Sequence, residues 1–284
     1  MKITNNKNLP LPIYNAIAND DYDDGGADIT ASSLWKPTQM VALTRQHRDE
    51  MEVDASDLLG TLLGKALHEY VSKRDPEAVV EKRLFTQVEG KNLSGQFDRF
   101  IVADATIQDY KVTSVARFNH QKHEAEWEQQ LNTYAFLLRE HGQDIKALQV
   151  VAVLRDWAKF NTRNIDYPDI MVQVTSIPLW PADVASQRIS ERVRAHDNPQ
   201  PCTDEERWHR PPKFAVMKNG RKNAIKLFDS HADASTFIAS ATDARYLYIQ
   251  ERPGHYLRCA EYCSAAPFCP QWQADPSRTA HVSE

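Results

Sequence analysis

The chain has 284 residues, 42% of them hydrophobic and 26% charged, with 34 Lys and Arg against 39 Asp and Glu for a formal net charge of −5. That is enough apolar content for one enlarged domain or a core with an appendage, and the acid excess excludes a surface that grips nucleic acid nonspecifically all over. No apolar run is long enough for a membrane span, and Met1-Lys-Ile-Thr-Asn-Asn-Lys7 lacks the apolar stretch of a signal peptide, so no membrane partner and a cytoplasmic location are expected.

Residues 1–28 read as a flexible segment, because they hold Pro10, Pro12, a run of aspartates and Gly25-Gly26. Residues 29–200 read as the core, and 201–284 as a C-terminal extension. At the start of the core, Thr30-Ala-Ser-Ser33 can cap a helix running through Leu34, Met40 and Leu43, with Pro37 tolerated near its beginning. Residues 57–71 then predict an amphipathic helix with Leu59, Leu62, Leu63, Ala66, Leu67 and Tyr70 on its apolar side. Gly60, Gly64 and His68 form a separate stripe at i, i+4 and i+8. Each glycine costs a helix about 0.8–1 kcal/mol relative to Ala, which predicts close approach of a strand or of substrate to the backbone. His68 fits either a metal ligand or a helix-face histidine with a hydrogen-bonded partner.

Residues 92–102 and 106–112 are rich in Phe, Ile, Val and Tyr with little more than Ala103-Asp104-Ala105 between them, which predicts a β-hairpin. A turn on Ala103-Asp104 sets Asp98 opposite Asp109, about 4.5–5.5 Å away, whereas a turn on Asp104-Ala105 pairs Asp98 with Lys111. In both registers Asp98, Asp109 and Lys111 share a face, because strand side chains repeat every second residue. Two carboxylates that close repel unless a cation joins them. A hard dication such as Mg²⁺ takes carboxylate oxygens and retains waters that a lysine can orient. Taken alone, the same charges also fit a solvated hairpin.

Residues 124–138 predict a helix that buries Trp127, Leu131, Ala135 and Leu138, with Gln130 and Tyr134 four apart beside that stripe and able to reach one neighbour. Residues 145–154 read as a strand and 181–196 as a polar helix. Residues 213–218 and 222–228 flank Asn219-Gly220, a strong hairpin signal whose basic tip fits a phosphate backbone or plain solvent. Ser230 caps a helix expected to run to about Gln250. All four cysteines follow the core, at Cys202, Cys259, Cys263 and Cys269. Clustered cysteines in an intracellular chain predict metal ligation over disulfides, and four thiolates suit an iron–sulfur cluster or structural zinc, with free thiols or a disulfide as the remaining alternatives.

The order of these features resembles the PD-(D/E)XK nuclease superfamily, in its RecB-like exonuclease branch, which includes phage exonucleases. The motifs are GxxxH at Gly64 and His68, GxxD at Gly95 and Asp98, DxK at Asp109 and Lys111, and QxxxY at Gln130 and Tyr134. They fall within residues 30–155, and four in that order are far more specific than any one. The resemblance implies an α/β fold: a restriction-endonuclease-like core, with a central mixed β-sheet flanked by helices, followed by a cysteine-anchored α+β extension. It implies Mg²⁺ or Mn²⁺ held by His68, Asp98, Asp109 and the backbone carbonyl of Tyr110. Lys111 would position the attacking water and stabilise charge, while Gln130 and Tyr134 would brace the site or contact the nucleic-acid backbone. Glu81 is a weaker candidate just outside the ligand set. The third motif often has Glu in this superfamily, and Asp109 shortens the reach while leaving the chemistry intact.

The implied activity is metal-dependent hydrolysis of DNA, as an exonuclease of recombination, repair or phage DNA processing in a bacterial or phage-infected cell. A nucleic-acid-binding scaffold without turnover, and a protein whose metal–cysteine centre is its main function, are the alternatives. The cysteines resemble the [4Fe–4S] staple of AddB-type and CRISPR-associated RecB-like nucleases, with a Cys259-to-Cys263 spacing looser than the usual CxxC and structural Zn²⁺ as the other candidate. In the CRISPR-associated relatives a cluster cysteine commonly precedes a proline at the start of the core. Here that dipeptide is Lys36-Pro37, and the lone Cys202 follows the core instead.

Overall fold

The computed structural model describes residues 1–20, 24–72, 74, 77–120 and 124–280, so residues 21–23 of the expected flexible segment lie outside the described residues. The chain divides into two compact units, Met1–Lys36 with Glu52–Pro199, and Pro37–Met51 with Gln200–Glu284.

In chain order the elements of the first half are β1 (Lys2–Thr4), α1 (Leu11–Ala18), β2 (Ile29–Thr30), α2 (Ala31–Leu34), α3 (Thr38–Gln46), β3 (Glu52–Asp54), α4 (Leu59–Ser72), β4 (Val79–Val88), β5 (Lys91–Ile101) and β6 (Thr106–Thr113). They are followed by α5 (Val115–Asn119), α6 (Glu124–Glu140), β7 (Ala147–Leu154), β8 (Val172–Ile177) and α7 (Ala182–Ala195). All except α3 belong to the first unit. Its six-stranded sheet has the order β2-β5-β6-β7-β8, with β4 paired antiparallel to β5. The β2–β5 and β6–β7 pairs are parallel and the others antiparallel. This mixed sheet flanked by helices is the expected α/β, restriction-endonuclease-like core. Phe97, Ile107, Leu131, Leu137, Leu148, Leu154, Ile189 and Val193 are fully buried between sheet and helices. The predicted stripe of α6 is buried as its spacing requires, at Trp127, Leu131, Ala135 and Leu138.

One edge of β5 is shared between two partners, and this opens the sheet. β6 pairs with β5 only from Arg99↔Gln108 to Ile101↔Thr106, and β2 takes Leu93 and Ser94. Between them, residues 95–98 have no ladder partner on that edge, so β5 and β6 splay apart at Asp98.

Three expectations differ from what forms. Residues 1–28 are not loop throughout: β1 pairs in parallel with β3, and α1 buries Ile17. Pro10 and Pro12 start α1 instead of breaking it, because the first helical turn needs no amide donor from them. The helix expected from Thr30 through Leu43 is two helices. Thr30 and Ser33 cap α2 reciprocally, and Pro37 then forbids helical geometry at Lys36, so α3 starts afresh in the second unit. Finally, α4 presents much of its apolar side to solvent, with Leu63 55% and Tyr70 64% exposed. At about 100° per residue, Leu63, Ala66 and Tyr70 lie about 140–160° from His68, so turning His68 toward the sheet turns them away.

The second unit contains α3, then β9 (His209–Arg210), β10 (Lys213–Lys218), β11 (Lys226–Phe228), α8 (His231–Ser240), β12 (Leu247–Arg252), β13 (His255–Tyr256), a π-helical turn at Arg258–Tyr262 and α9 (Pro270–Gln273). β10 is the middle of a three-stranded antiparallel sheet, β11-β10-β12. The Asn219-Gly220 turn forms, with Gly220 at φ 80 and the Arg221 amide donating to the Lys218 carbonyl at 3.0 Å, but the expected strand over 222–228 is reduced to Lys226–Phe228 and pairs Val216 with Lys226, so the tight two-residue hairpin does not form. Ser230 caps α8, but the helix stops at Ser240. The alternating Leu247-Tyr-Ile-Gln250 gains more as strand β12 against β10 than as a continued helix. No helix among the described residues is long and apolar enough to cross a membrane.

Candidate active site

The β5–β6 register is centred between Ala103 and Asp104, so Asp98 faces Asp109, and the alternative pairing with Lys111 does not occur. Where the two strands splay, the Tyr110 amide donates to Asp98 Oδ2 at 2.7 Å in place of a ladder bond. Asp98 is 6% and Asp109 1% exposed, which is far from a solvated hairpin. His68 reaches across from α4: Nε2–H donates to the Tyr110 carbonyl at 2.9 Å, and Nδ1 stands 3.2 Å from Asp98 Oδ1. Burial alone lowers the pKa of an imidazole. Here the hydrogen bond and charge of Asp98, the Tyr110 carbonyl and Asp109 outweigh it and raise His68 to about 9.

The QxxxY pair supports the lysine. Lys111 Nζ is 2.7 Å from Asp109 Oδ2 and donates to Gln130 Oε1 at 2.9 Å, while Gln130 Nε2 donates to the Tyr134 hydroxyl at 2.6 Å. Gly95 makes this approach of α6 possible, since a Cβ there meets Leu137 Cδ1 at 2.6 Å and the Tyr134 ring at 3.1 Å. The glycine of GxxD is therefore a packing residue. Burial disfavours the ammonium of Lys111, but Asp109, Asp98 and Glu126 outweigh it and raise its pKa. Burial also raises Asp109, with Lys111 opposing and Asp98 adding to the shift.

Glu81 has a larger place than the sequence suggests. The β4–β5 ladder pairs Val80↔Arg99 and Lys82↔Phe97 and skips Glu81, which stands opposite Asp98 at φ 50. A non-glycine residue held there costs about 1–3 kcal/mol and persists only where its surroundings over-determine it. Gln96 Nε2 donates to Glu81 Oε2 at 3.0 Å, and Gln96 is itself held by Arg83 Nη2 at 3.0 Å. Burial and the Asp98 charge raise the pKa of Glu81, with His68 and Gln96 opposing. The only sequence signal for this role is an acid at the start of an apolar run; the pairing that brings it to Asp98 spans the hairpin.

This donor set fits a divalent cation. Among the described residues, His68, Glu81 and Asp98 are the one group of three His, Cys, Asp or Glu whose ligand atoms all lie within 4.8 Å of one another. Asp109 Oδ1 and Glu81 Oε1 are buried without a hydrogen-bond partner, a costly state for carboxylates with no cation to bind. A cleft of about 600 Å³ opens on the site, lined by Thr30, Ser32, Lys65, His68, Glu81, Arg83, Asp98 and Tyr134 among others. Among the described residues a Cβ on Gly60 or Gly64 meets nothing within 4 Å, so no described strand accounts for that glycine stripe.

In the second unit the four cysteines are free thiols that line one small cavity together with Gln39, Arg207, Arg258 and Gln271. Gln39 of α3 holds two of them, accepting from the Cys202 amide at 3.2 Å and donating to Cys269 Sγ at 3.7 Å. The Ala266 amide donates to the Cys263 carbonyl at 3.0 Å. Burial, Glu206 and the other three cysteines push Cys202 up to about 11, so as a free thiol it is inert near neutrality.

Comparison with curated proteins returns no match. Among solved structures, that of SSO0001 is similar at 14% identity and TM-score 0.49, covering 69% of this chain and 89% of its own. A phage related exonuclease from Haemophilus somnus 129PT is similar at 15% identity and TM-score 0.39, covering 59% of this chain and 91% of its own. Residues 30–270 match the family model of the PD-(D/E)XK nuclease superfamily, a span that takes in the carboxylate site and every cysteine. A buried carboxylate pair with a charged lysine, a histidine and unsatisfied oxygens is the equipment such hydrolases use with a divalent metal, and by that match the chain belongs to the PD-(D/E)XK nuclease superfamily.

Proposed function

We propose that the protein is a Mg²⁺- or Mn²⁺-dependent deoxyribonuclease, acting as an exonuclease in recombination, repair or phage DNA processing. The observation that carries the reading is the convergence of His68, Asp98, Asp109 and the Tyr110 carbonyl beside a lysine held by Gln130. The exonuclease assignment rests on the GxxxH, GxxD, DxK, QxxxY order. His68, Asp98, Asp109 and the Tyr110 carbonyl would hold the cation, and Glu81 joins them as a further ligand.

When bound, a divalent cation acidifies water and offsets charge on the phosphoryl oxygens. The residues of the chain supply the rest. Lys111 has three N–H donors, gives one to Gln130 and pairs by charge with Asp109 at 2.7 Å, which leaves donor capacity for the attacking water or a phosphoryl oxygen. Held charged, Lys111 orients and neutralises and does not take up a proton. Tyr134 and Gln130 keep it from swinging away. Asp98 is oriented by the Tyr110 amide, so its free lone pairs point into the site.

The four cysteines are read as ligands of a [4Fe–4S] cluster that staples α3 to the C-terminal segment of its own unit. Among the described residues no three of their sulfurs lie within 4.8 Å of one another. Tetrahedral zinc, at about 2.3 Å from each sulfur, draws them to about 3.8 Å. Cys202 also lies against Gln39, two residues after Pro37, in the segment where the resemblance looks for the missing ligand.

The deciding experiment incubates anaerobically purified protein with end-labelled linear DNA and covalently closed circles, with and without Mg²⁺ or Mn²⁺. The reading expects metal-dependent release of nucleotides from linear DNA only, lost in Asp109→Ala and Lys111→Ala. Binding without release marks a scaffold, and cleavage of circles marks an endonuclease. Iron, sulfide and zinc content of the same preparation tests the cysteine reading.

A further inference from the structure

We propose that Arg207 is the counter-charge of the four-cysteine centre, with its guanidinium directed at the metal-bound sulfurs so that it stabilises their negative charge and raises the reduction potential of the centre. The inference rests on the iron–sulfur reading of the cysteines and adds a residue that ligation does not require.

Arg207 is 6% exposed, an unusual state for a guanidinium. One of its nitrogens pairs with Asp275, and its plane lies 3.3 Å from the centroid of the Tyr256 ring. Its Nε is buried with no hydrogen-bond partner. Arg207 and the four cysteines line the same cavity. Arg207 lines the cysteine cavity and Asp275 does not, so the ion pair presents its positive end to the sulfurs.

The local chain holds this orientation. The Arg207 amide donates to the Thr203 carbonyl at 2.9 Å, and the Arg258 amide donates to the Arg207 carbonyl at 3.1 Å. The next residue, Trp208, is held at φ 58, a conformation that bulky side chains rarely adopt. Stacking of Arg258 on the Trp208 ring, 4.2 Å from its centroid, keeps it there.

Charge balance gives the physical reason. Neutral thiols need no cation, and an arginine buried among them leaves a donor unsatisfied, as Nε is here. Thiolates of a metal centre reverse that: they can accept from the guanidinium, as the Cys269 sulfur accepts from Gln39. Hydrogen bonds and positive charge at the sulfurs of a cluster favour its reduced, more negative form and so raise the potential.

The test uses the full chain purified anaerobically, with iron and acid-labile sulfide measured per chain and the midpoint potential read by dye-mediated titration of the visible absorbance. Arg207→Gln is expected to keep iron and sulfide but titrate at a lower potential and lose iron faster to a chelator. Arg207→Lys is expected to fall between Gln and the parent. Asp275→Asn, which removes the opposing charge, is expected to shift the potential upward. Opposite shifts in the two variants support the assignment, because a merely structural arginine does not produce them. If Arg207→Gln does not fold, the direction of the Asp275→Asn and Arg207→Lys shifts decides alone. Unchanged potentials in variants that retain iron overturn the role of Arg207 and leave the cluster reading standing. A parent protein that holds no iron overturns both.

Discussion

The carboxylate site of the first unit and the four-cysteine site proposed as a metal centre in the second are held in opposite ways. Glu81, Asp98 and Asp109 sit on adjacent strands of one sheet, with positions set by a ladder that needs no metal. Cys202 sits on a loop, Cys259 in a single π-helical turn, Cys263 directly after that turn and Cys269 at the end of a short 3₁₀ turn, with Ala266, Cys269 and Trp272 forming a small buried cluster there. The difference is one of cost. The sheet forces like charges together and leaves buried carboxylate oxygens unpaired, so metal relieves a strain that folding has already imposed. The cysteine segment has little core of its own, so under the proposed reading metal binding there would be part of folding.

Removing a ligand from each region should separate the two. Asp109→Ala should cut nuclease turnover about 10³-fold or more. The first unit should stay folded without metal but melt lower than the parent, because deleting Asp109 leaves the buried ammonium of Lys111 without its nearest counter-charge. Turnover within tenfold of the parent, or a first unit that no longer folds without metal, breaks the comparison. Cys263→Ser should instead make residues 200–280 sensitive to limited proteolysis while the first unit resists. Equal protection of both units in that variant contradicts a metal-dependent fold.

A pH series sharpens the contrast on the carboxylate side. The pKa of His68 is raised in the fold from 6.5 to about 9. Its contribution to the stability of the metal-free protein is therefore fully present below pH 6.5 and lost as pH rises through about 9. A ligand must be the neutral imidazole, so Mn²⁺ affinity should rise with pH by up to about tenfold per unit in that window. Calorimetric titration at several pH values reads the slope, and His68→Gln should flatten it. The smallest effect is expected from Gly95→Ala, where crowding against Leu137 and Tyr134 should cost about 1–3 kcal/mol, read as a lower denaturant midpoint with unchanged slope.

Much of the carboxylate site is legible in the sequence because its spacings are local. Asp109 and Lys111 are two apart on a strand and Gln130 and Tyr134 four apart on a helix, so each pair shares a face whatever the rest of the chain does. Glu81 is less legible. It becomes a ligand candidate only through the β4–β5 register, and its left-handed backbone has no sequence mark. The apolar stripe of α4 misleads for a related reason: the hydrogen bond from His68 to Tyr110 sets the rotation of the helix, and Leu63 and Tyr70 are left in water.

By itself the sequence determined α4, α6, α7 and the strands β5, β6 and β7, the residues of the four motifs and the presence of four clustered thiols, since periods of 2 and 3.6 and short spacings are properties of a few consecutive residues. Tertiary structure alone decided which hairpin register forms, that Glu81 faces Asp98, that α3 joins the cysteines and that Arg207 faces their cavity. Each of those depends on pairing or packing between residues distant in the chain, and their energy exists only once the chain has closed the loops between them.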